Sequence, residues 1–435
     1  MIQAPPEAAP TPIPGLTGLS AYKVPQHPAP IDLILSGNEG PSPPADLYAE
    51  LSRLGPELLR RYPNAKPLEA FIASRLHLNP DQVLVTAGAD EALDRAFRTF
   101  VAAGDTVVLP SPTFVMLTHY ARVIGAHIVA PPWPAEDFPT DEVIAALAAH
   151  PKALALVSPN NPTGALIPKA TLIDLARRAP STAIFVDFAY IEMAEPTSKE
   201  DPTRELLKLP NVLVFRTLSK AWGLAGARVG YVVSHPRTIA ALRAAGPPYS
   251  VTAPSLFLAQ RHLETGLDEM NAYVATVRGE RDVLYDALTR LAVHPVRSAA
   301  NFVFARCNSP AQALWLRDGL AGLGIGVRAF PGDATIGDGV RITCPGDHNQ
   351  LERLLHALES VLAPHLLIDR PEGLFGLGKP AWFLASKAAD LAHARKLGAV
   401  PIALGDPHAT TAHALLAAGA ARVAPSFEAL EATIR

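Results

Sequence analysis

Between about Pro80 and Val233 the chain alternates, several times over, a short β-branched run, a turn and a helix-like stretch. "QVLVTAG", "DTVVLP", "ALALVSP", "AIFVDFAY", "NVLVFRTLS" and "GARVGYVVS" read as strands. "ADEALDRAFRTFVAAG" (closed by Gly104), "TFVMLTHYARVIG" and "PKATLIDLARRAP" read as helices. Strands that alternate with helices force crossover connections, and those connections produce a mostly parallel sheet covered by helices on both faces. In such sheets ligands gather outside the carboxyl ends of the strands. The chemically capable residues of this chain fall at those ends.

After Pro248 one long helical region ("SLFLAQRHLETGLDEMNAYVATVRGERDVLYDALTRL") leads to strands at "NFVFARC", "GIGVRAF" and "GVRITC", and "DHNQLERLLHALESVLA" closes a second unit. A third begins near Pro364. At 435 residues two or three domains are expected. A net charge of −3 gives no electrostatic reason for nucleic acid or an anionic membrane as partner. No apolar run approaches the roughly 20 residues that span a bilayer. The proline-rich start "MIQAPPEAAPTPIPG" lacks the basic and apolar blocks of a secretion signal and reads as an extended arm. Two cysteines, Cys307 and Cys344, are too few for a disulfide framework and fit a reducing cytosol. The histidines show no metal-ligand spacing, so no metal site is expected.

The strand ends carry the chemistry. "TAGADEAL" sets the backbone amides of Ala89 and Asp90 at a helix start, either an ordinary N-terminus or a seat for an anion. "PSPTF" brings Phe114, whose ring either packs in the core or stacks on a flat ligand. "SPNNPTG" makes a turn and offers the amide of Asn161. "FVDFAY" ends an apolar strand in Asp187 and Tyr190; a carboxylate there is expensive unless it faces a cation. "FRTLSKAWGLAGARVGY" then places Lys220 among small residues, with no glutamate beside it and Arg228 following. Arg328 and Arg341 stand further on, each read either as a strand-edge charge in water or as a grip for an anion.

Taken together, "LSGNEGPSPP", "RYPNA", "TAGADEALDRAF", "SPNNPTGALIP", "VDFAY" and "TLSKAWGLAGARVGY" resemble the aspartate-aminotransferase-like, fold-type-I enzymes of pyridoxal 5′-phosphate (PLP), with the strongest likeness to histidinol-phosphate aminotransferases, over residues 20–362. The resemblance implies an arm at 1–35, a small domain from 36–60 and 249–363, and a large PLP-binding domain at 61–248. It implies that Lys220 carries PLP covalently and moves protons as base and acid, and that Asp187 pairs with the pyridine nitrogen. Asn161 and Tyr190 would bond the phenolic oxygen, and Phe114 would stack on the ring, where the family usually has tyrosine. Ala89, Asp90, Thr217, Ser219 and Arg228 would bind the phosphate, joined by Tyr62 from the neighbouring subunit of a homodimer. Arg341 would hold the substrate α-carboxylate; Arg328, Tyr22 and Asn38 would complete the substrate site. The implied activity is transamination between histidinol phosphate and 2-oxoglutarate in the cytoplasm. Alternatives within the likeness are an aromatic or broad-specificity aminotransferase and a threonine-phosphate decarboxylase; outside it stands a non-catalytic PLP-binding regulator, for which no DNA-binding module is visible. "NEGPSPP" departs from the family by lacking a tyrosine.

Residues 364–435 resemble a shrunken haloacid-dehalogenase-type phosphatase. Asp369 in "LLIDRPEGLF" stands for the nucleophile and Lys379 in "GKP" for the lysine motif. Pro371 and Ser386 replace two expected acids and leave Asp390 alone, so the implied phosphatase activity is negligible and the segment reads as a degenerate α/β appendage packed on the body or at the dimer edge.

Overall fold

In the computed structural model, the structure describes residues 11–19, 21, 27–134, 137–194, 201–364, 366–369 and 380–434. Tyr22, Pro371 and Lys379 lie outside the described residues.

The alternating region forms a seven-stranded sheet in the order Val83–Thr86, Gly230–Ser234, Val212–Thr217, Ala183–Asp187, Ala153–Val157, Thr106–Val108 and His127–Val129. All neighbouring pairs are parallel except those of Gly230–Ser234, which runs antiparallel to both of its neighbours. The central strands Ala153–Val157 and Ala183–Asp187 read as nearly unbroken apolar runs because helices cover both faces, and they are buried almost throughout. One apolar core lies on each side of the sheet: Leu154, Ile184, Val186 and Val214 face one, while Phe97, Phe185, Phe215 and Leu93 face the other.

Several elements differ from the sequence reading. The helix expected to run to Gly104 spans Gly88–Phe100, because Val101 turns extended and buries its side chain. The strand His127–Val129 and the helices Thr140–Leu147 and Pro236–Ala244 were not foreseen. The long helical region is two helices, Ala253–Thr265 and Leu267–Arg290, divided at Gly266, where an added Cβ would come within 2.5 Å of the His262 ring. "GIGVRAF" yields two two-residue strands, Ile325–Gly326 and Arg328–Ala329, that join different sheets.

The second unit is a four-stranded antiparallel sheet ordered Arg328–Ala329, Gly339–Thr343, Phe302–Arg306, His294–Pro295. The helix His348–Leu362 packs beside it, its N-terminus capped by Asp347, which accepts from the Gln350 amide. Leu33–Ile34 pairs in parallel with Ile325–Gly326. The C-terminal segment is a separate, fully parallel sheet of Leu366–Ile368, Ala381–Ala385, Val400–Leu404 and Arg422–Ala424. It meets the body through Trp382, which stacks edge-on against Trp315 with centroids 5.0 Å apart and donates from Nε1 to the Ser360 carbonyl. An ion pair from Arg422 to the buried Asp318, 2.9 Å, joins the same surfaces.

Candidate active site

The carboxyl ends of the strands open into a cleft of about 480 Å³ whose floor is the seven-stranded sheet and whose far wall is the segment Ser36–Glu39 together with Arg341. Of the residues singled out from sequence, Asn38, Ala89, Asp90, Phe114, Asn161, Asp187, Tyr190, Thr217, Ser219, Lys220, Arg228 and Arg341 all line it. Arg328 borders an adjoining cleft of about 570 Å³ that shares Phe114, Asn161 and Arg341 with the first. Tyr62 does not line the cleft; it is 81% exposed and stacks on Tyr249 at 4.7 Å.

Topology explains the convergence. Three parallel strands deliver Thr86, Asp187 and Thr217 at their last positions, and the antiparallel strand begins at Gly230, paired with both Thr86 and Thr217. The loop that precedes Gly230 is thereby returned to the same edge, and it carries Lys220 and Arg228. Gly230 lies so close to the helix start that a Cβ there would sit 2.5 Å from the Ala89 nitrogen. Gly88, at φ +80°, opens the helix in a left-handed conformation, and a Cβ on it would meet Arg228 Nη2 at 2.6 Å. The result is one cradle of helix amides, the Thr217 and Ser219 hydroxyls and a guanidinium, a donor set suited to a dianion such as phosphate. Within it Thr217 Oγ1 donates to Ser219 Oγ at 3.0 Å, and Arg228 contacts Asp90 at 3.3 Å with both side chains half exposed.

Deeper in, Asp187 is 4% exposed and accepts one bond, from the Ala189 amide at 3.0 Å. Burial pushes its carboxyl up to about 7, with Asp90 adding to the rise and the Ala189 bond and Lys220 opposing it. Such a group calls for a cation. Lys220 donates from Nζ to the Gly37 carbonyl at 3.0 Å and lies 5.8 Å from the Tyr190 ring centroid. Burial, then the nearby Arg341, pulls its ammonium down to about 8, while Glu39 and Asp90 pull the other way. Tyr190 is buried against Phe302 and its hydroxyl accepts from Asn38 Nδ2 at 3.0 Å; burial raises its pKa.

Asn38 is committed to the protein on both sides of its amide, since Oδ1 accepts from Thr343 Oγ1 at 2.9 Å. The sequence assigned it to substrate; its bonds make it a brace for Tyr190. Arg341 Nη1 donates to Asn161 Oδ1 at 2.6 Å, which leaves Asn161 Nδ2 as the end of that amide with a proton for a ligand oxygen. Arg341 Nη2 donates to the Ser36 carbonyl at 2.5 Å, and the guanidinium lies 5.3 Å from the Phe302 ring centroid. The backbone carbonyls of Ser36 and Gly37 were not foreseen, because a carbonyl has no signature in a residue string. Asn160 was also passed over: it is fully buried, and its Nδ2 ties Thr163 and the Pro112 carbonyl together, which sets the loop that presents Asn161. Among the described residues no group of three or more His, Cys, Asp and Glu could hold a metal ion, and no helix is long and apolar enough to cross a membrane.

An amine beside a buried acid and a phosphate-type cradle, on the carboxyl edge of this sheet, defines an aspartate-aminotransferase-like architecture. The solved histidinol-phosphate aminotransferase of Sinorhizobium meliloti, in complex with pyridoxal 5′-phosphate, superposes with a TM-score of 0.74 at 24% identity, covering 82% of this chain and 98% of that one. Aspartate aminotransferase of Thermus thermophilus with maleate superposes at 0.65, with 25% identity over 76% of this chain and 92% of its own. The family model for aminotransferase class I and II matches residues 48–358. Histidinol-phosphate aminotransferase of Aeromonas salmonicida is 36% identical over 307 residues, 69% of this chain and 84% of that relative. The enzyme of the same name from Symbiobacterium thermophilum is 32% identical over 335 residues, 76% of this chain and 91% of its own. The chain belongs to the class I and II aminotransferases, and it is a transaminase.

Proposed function

We propose that this transaminase uses pyridoxal 5′-phosphate and moves an amino group between histidinol phosphate and 2-oxoglutarate. The observation that carries the cofactor is the pairing, in one cleft, of a buried acid pushed up to about 7 with an amine drawn down to about 8 and a cradle of phosphate donors. The named activity of the relatives supports the substrate. Two arginines at opposed positions of adjacent strands, Arg328 and Arg341, suit the two carboxylates of 2-oxoglutarate, and Arg328 would meet the single phosphate of histidinol phosphate, which has no carboxylate.

Bound there, the cofactor would supply a carbonyl that captures the amine and a pyridinium ring that spreads the charge of a deprotonated α-carbon. The protein's residues do the rest. Asp187 would pair with the ring nitrogen, and in that buried place the attraction is strong. Arg228, Thr217, Ser219 and the amides of Ala89 and Asp90 would hold the phosphate. Asn161 Nδ2 and Tyr190 would donate to the phenolic oxygen, with Asn38 fixing the Tyr190 hydroxyl. Phe114 offers its ring to one face but no hydroxyl. Lys220, with its lowered basicity, is an amine near neutral pH for an appreciable part of the time and can take a proton from the substrate α-carbon and return it. Arg341 would bind the α-carboxylate, already oriented by Asn161 and the Ser36 carbonyl.

Tyr62 fits a homodimer in which it reaches the partner's phosphate, for it stands exposed and stacked on Tyr249 instead of lining its own cleft. We place the enzyme in the cytosol, in keeping with two free, buried cysteines. We divide the body into a large domain at 61–248 and a smaller unit from 36–60 and 249–363, a reading supported by the presence of one seven-stranded and one four-stranded antiparallel sheet. We read 364–435 as a catalytically idle relic: Asp369 and Ser386 are exposed and Asp390 is half-buried.

Spectral titration of the purified enzyme tests the reading. Histidinol phosphate should convert the lysine-bound cofactor band, and 2-oxoglutarate should restore it. If phenylalanine converts the band while histidinol phosphate leaves it unchanged, the substrate assignment fails; if Lys220→Ala sustains steady-state turnover, the cofactor assignment fails.

A further inference from the structure

The C-terminal sheet lies beyond the matched family region, yet it grips the segment that forms the far wall of the cleft. It does so at two points. His27 accepts from the Ala29 amide at Nδ1, 3.1 Å, which makes Nε2 the protonated nitrogen; Nε2 donates to the carbonyl of Ala421 at 2.9 Å. Arg395, on the helix Ala388–Lys396, donates to Asp32 Oδ1 at 2.8 Å and is itself only 18% exposed. Arg353 reaches the same carboxylate from the body at 2.5 and 3.1 Å.

Between Asp32 and the cleft the segment is tied to the body by Leu33 and Leu35, both buried in the main core, and by the Thr343 amide, which donates to the Leu35 carbonyl at 3.0 Å. Leu33–Ile34 is a two-residue strand, with Leu33 N–H donating to the Gly324 carbonyl and Leu35 N–H to that of Gly326. One side of the segment borders a cavity of about 660 Å³ lined by His27, Ile31, Ile34, Ser36, Arg317 and His413, so a solid wall does not hold it there. Immediately beyond, the segment makes its three contacts with the cleft: Ser36 to Arg341, Gly37 to Lys220 and Asn38 to Tyr190.

We infer that the C-terminal sheet is a clamp on residues 27–38, and that Arg395 is a positioning residue which, through Asp32, keeps Ser36, Gly37 and Asn38 in register with Arg341, Lys220 and Tyr190. The inference rests on the transaminase reading only for the roles of those last three side chains. When a binding-competent arrangement is populated part of the time, apparent affinity falls by that fraction, while saturating substrate restores the rate. Loosening the clamp therefore raises KM for both substrates and spares kcat.

Arg395→Gln in the full chain tests this, with Lys396→Gln on the same helix as control and Arg395→Lys as the conservative variant. In cofactor-free protein, hydrogen exchange at the Leu33 and Leu35 amides should quicken about threefold to tenfold, the size of coupling that one ion pair in a shared network carries. In the loaded enzyme both KM values should rise by a similar factor with kcat within about twofold, Arg395→Lys should recover part of the loss, and Lys396→Gln should change nothing. Unchanged exchange at 32–38, or faster exchange spread evenly over the C-terminal strands with KM unmoved, would overturn the clamp. The exchange measurement involves no chemistry, so it stands or falls apart from the assignment of cofactor and substrate.

Discussion

Two sheets in this molecule, one mostly and one wholly parallel, have the same local logic, strand then helix then strand, and only one of them makes a site. At the carboxyl edge of the seven-stranded sheet, Thr86, Asp187, Thr217 and Ser219 are buried polar residues, and Lys220, Arg228 and Arg341 converge on them. At the corresponding edge of the C-terminal sheet, Asp369 and Ser386 stand exposed, and the interior is mostly alanine: Ala381, Ala385, Ala394, Ala399, Ala403 and Ala420. Topology supplies a place for chemistry but not the chemistry. What separates the two sheets is the willingness of the first to bury charge at a cost to stability, which a folded chain sustains only where another group compensates.

The largest effect that this contrast demands is at Lys220. Replacing it with alanine should lower turnover by at least about 10⁴-fold, since both of its proposed roles, covalent and proton-moving, would vanish together; stopped-flow half-reactions would read it. Loss of less than tenfold would reduce the first sheet to the status of the second.

Asp187→Asn comes next and probes the stability cost directly. A carboxyl whose folded pKa is about 7 against an ordinary 3.8 binds a proton in the folded state that the unfolded chain has released. Between about pH 4 and 7 stability must therefore fall as pH rises, and the full penalty is present above pH 7. In cofactor-free enzyme, Asp187→Asn should raise Tm at pH 8, by on the order of a few kcal/mol of stability, and the gain should disappear near pH 4. The same variant should lose most of its turnover. A variant less stable than the parent at pH 8 would mean that the carboxylate already has its compensating cation.

A smaller change is expected for Arg228→Lys. The charge would remain but the planar fork would be lost, so on the proposed role phosphate would be held at one point instead of two. PLP affinity, followed by fluorescence quenching, should weaken about tenfold at constant kcat in excess cofactor. Smallest of all is Asp369→Asn in the C-terminal sheet, which should leave transamination within error. Magnesium-dependent phosphate release from the parent, lost in that variant, would erase the contrast altogether.

Much of the large sheet was legible because its signals are local. β-branched runs of four to six residues, such as Val212–Thr217, and the turn residues of "SPNNPTG" act within a few positions of themselves. The antiparallel course of Gly230–Ser234 was not legible, because direction within a sheet is set by pairing partners and not by composition. The break at Gly266 was likewise hidden: an isolated glycine inside a helical pattern is tolerated often enough that its tertiary crowding against His262 decides the matter. At the site, the strand-end side chains singled out from sequence line one cleft, but Thr86 was passed over, and Asn38 was given to the substrate although its amide is bonded to Tyr190 and Thr343. A side-chain amide reads the same in a string whether its partner is a ligand or a buried tyrosine.

By itself the sequence determined which residue types stand at the ends of which strands, because periodicity and turn chemistry are properties of neighbours along the chain. It also determined that a lysine, an acid and an arginine would meet at one edge, once the strands were parallel. Only the tertiary structure decided how basic that lysine is and how reluctant the acid is to ionise, since both follow from removal of water by the whole fold. It alone decided that Arg395 of the C-terminal segment would reach Asp32, for an ion pair between residues so distant in sequence depends on how two surfaces come to rest against each other.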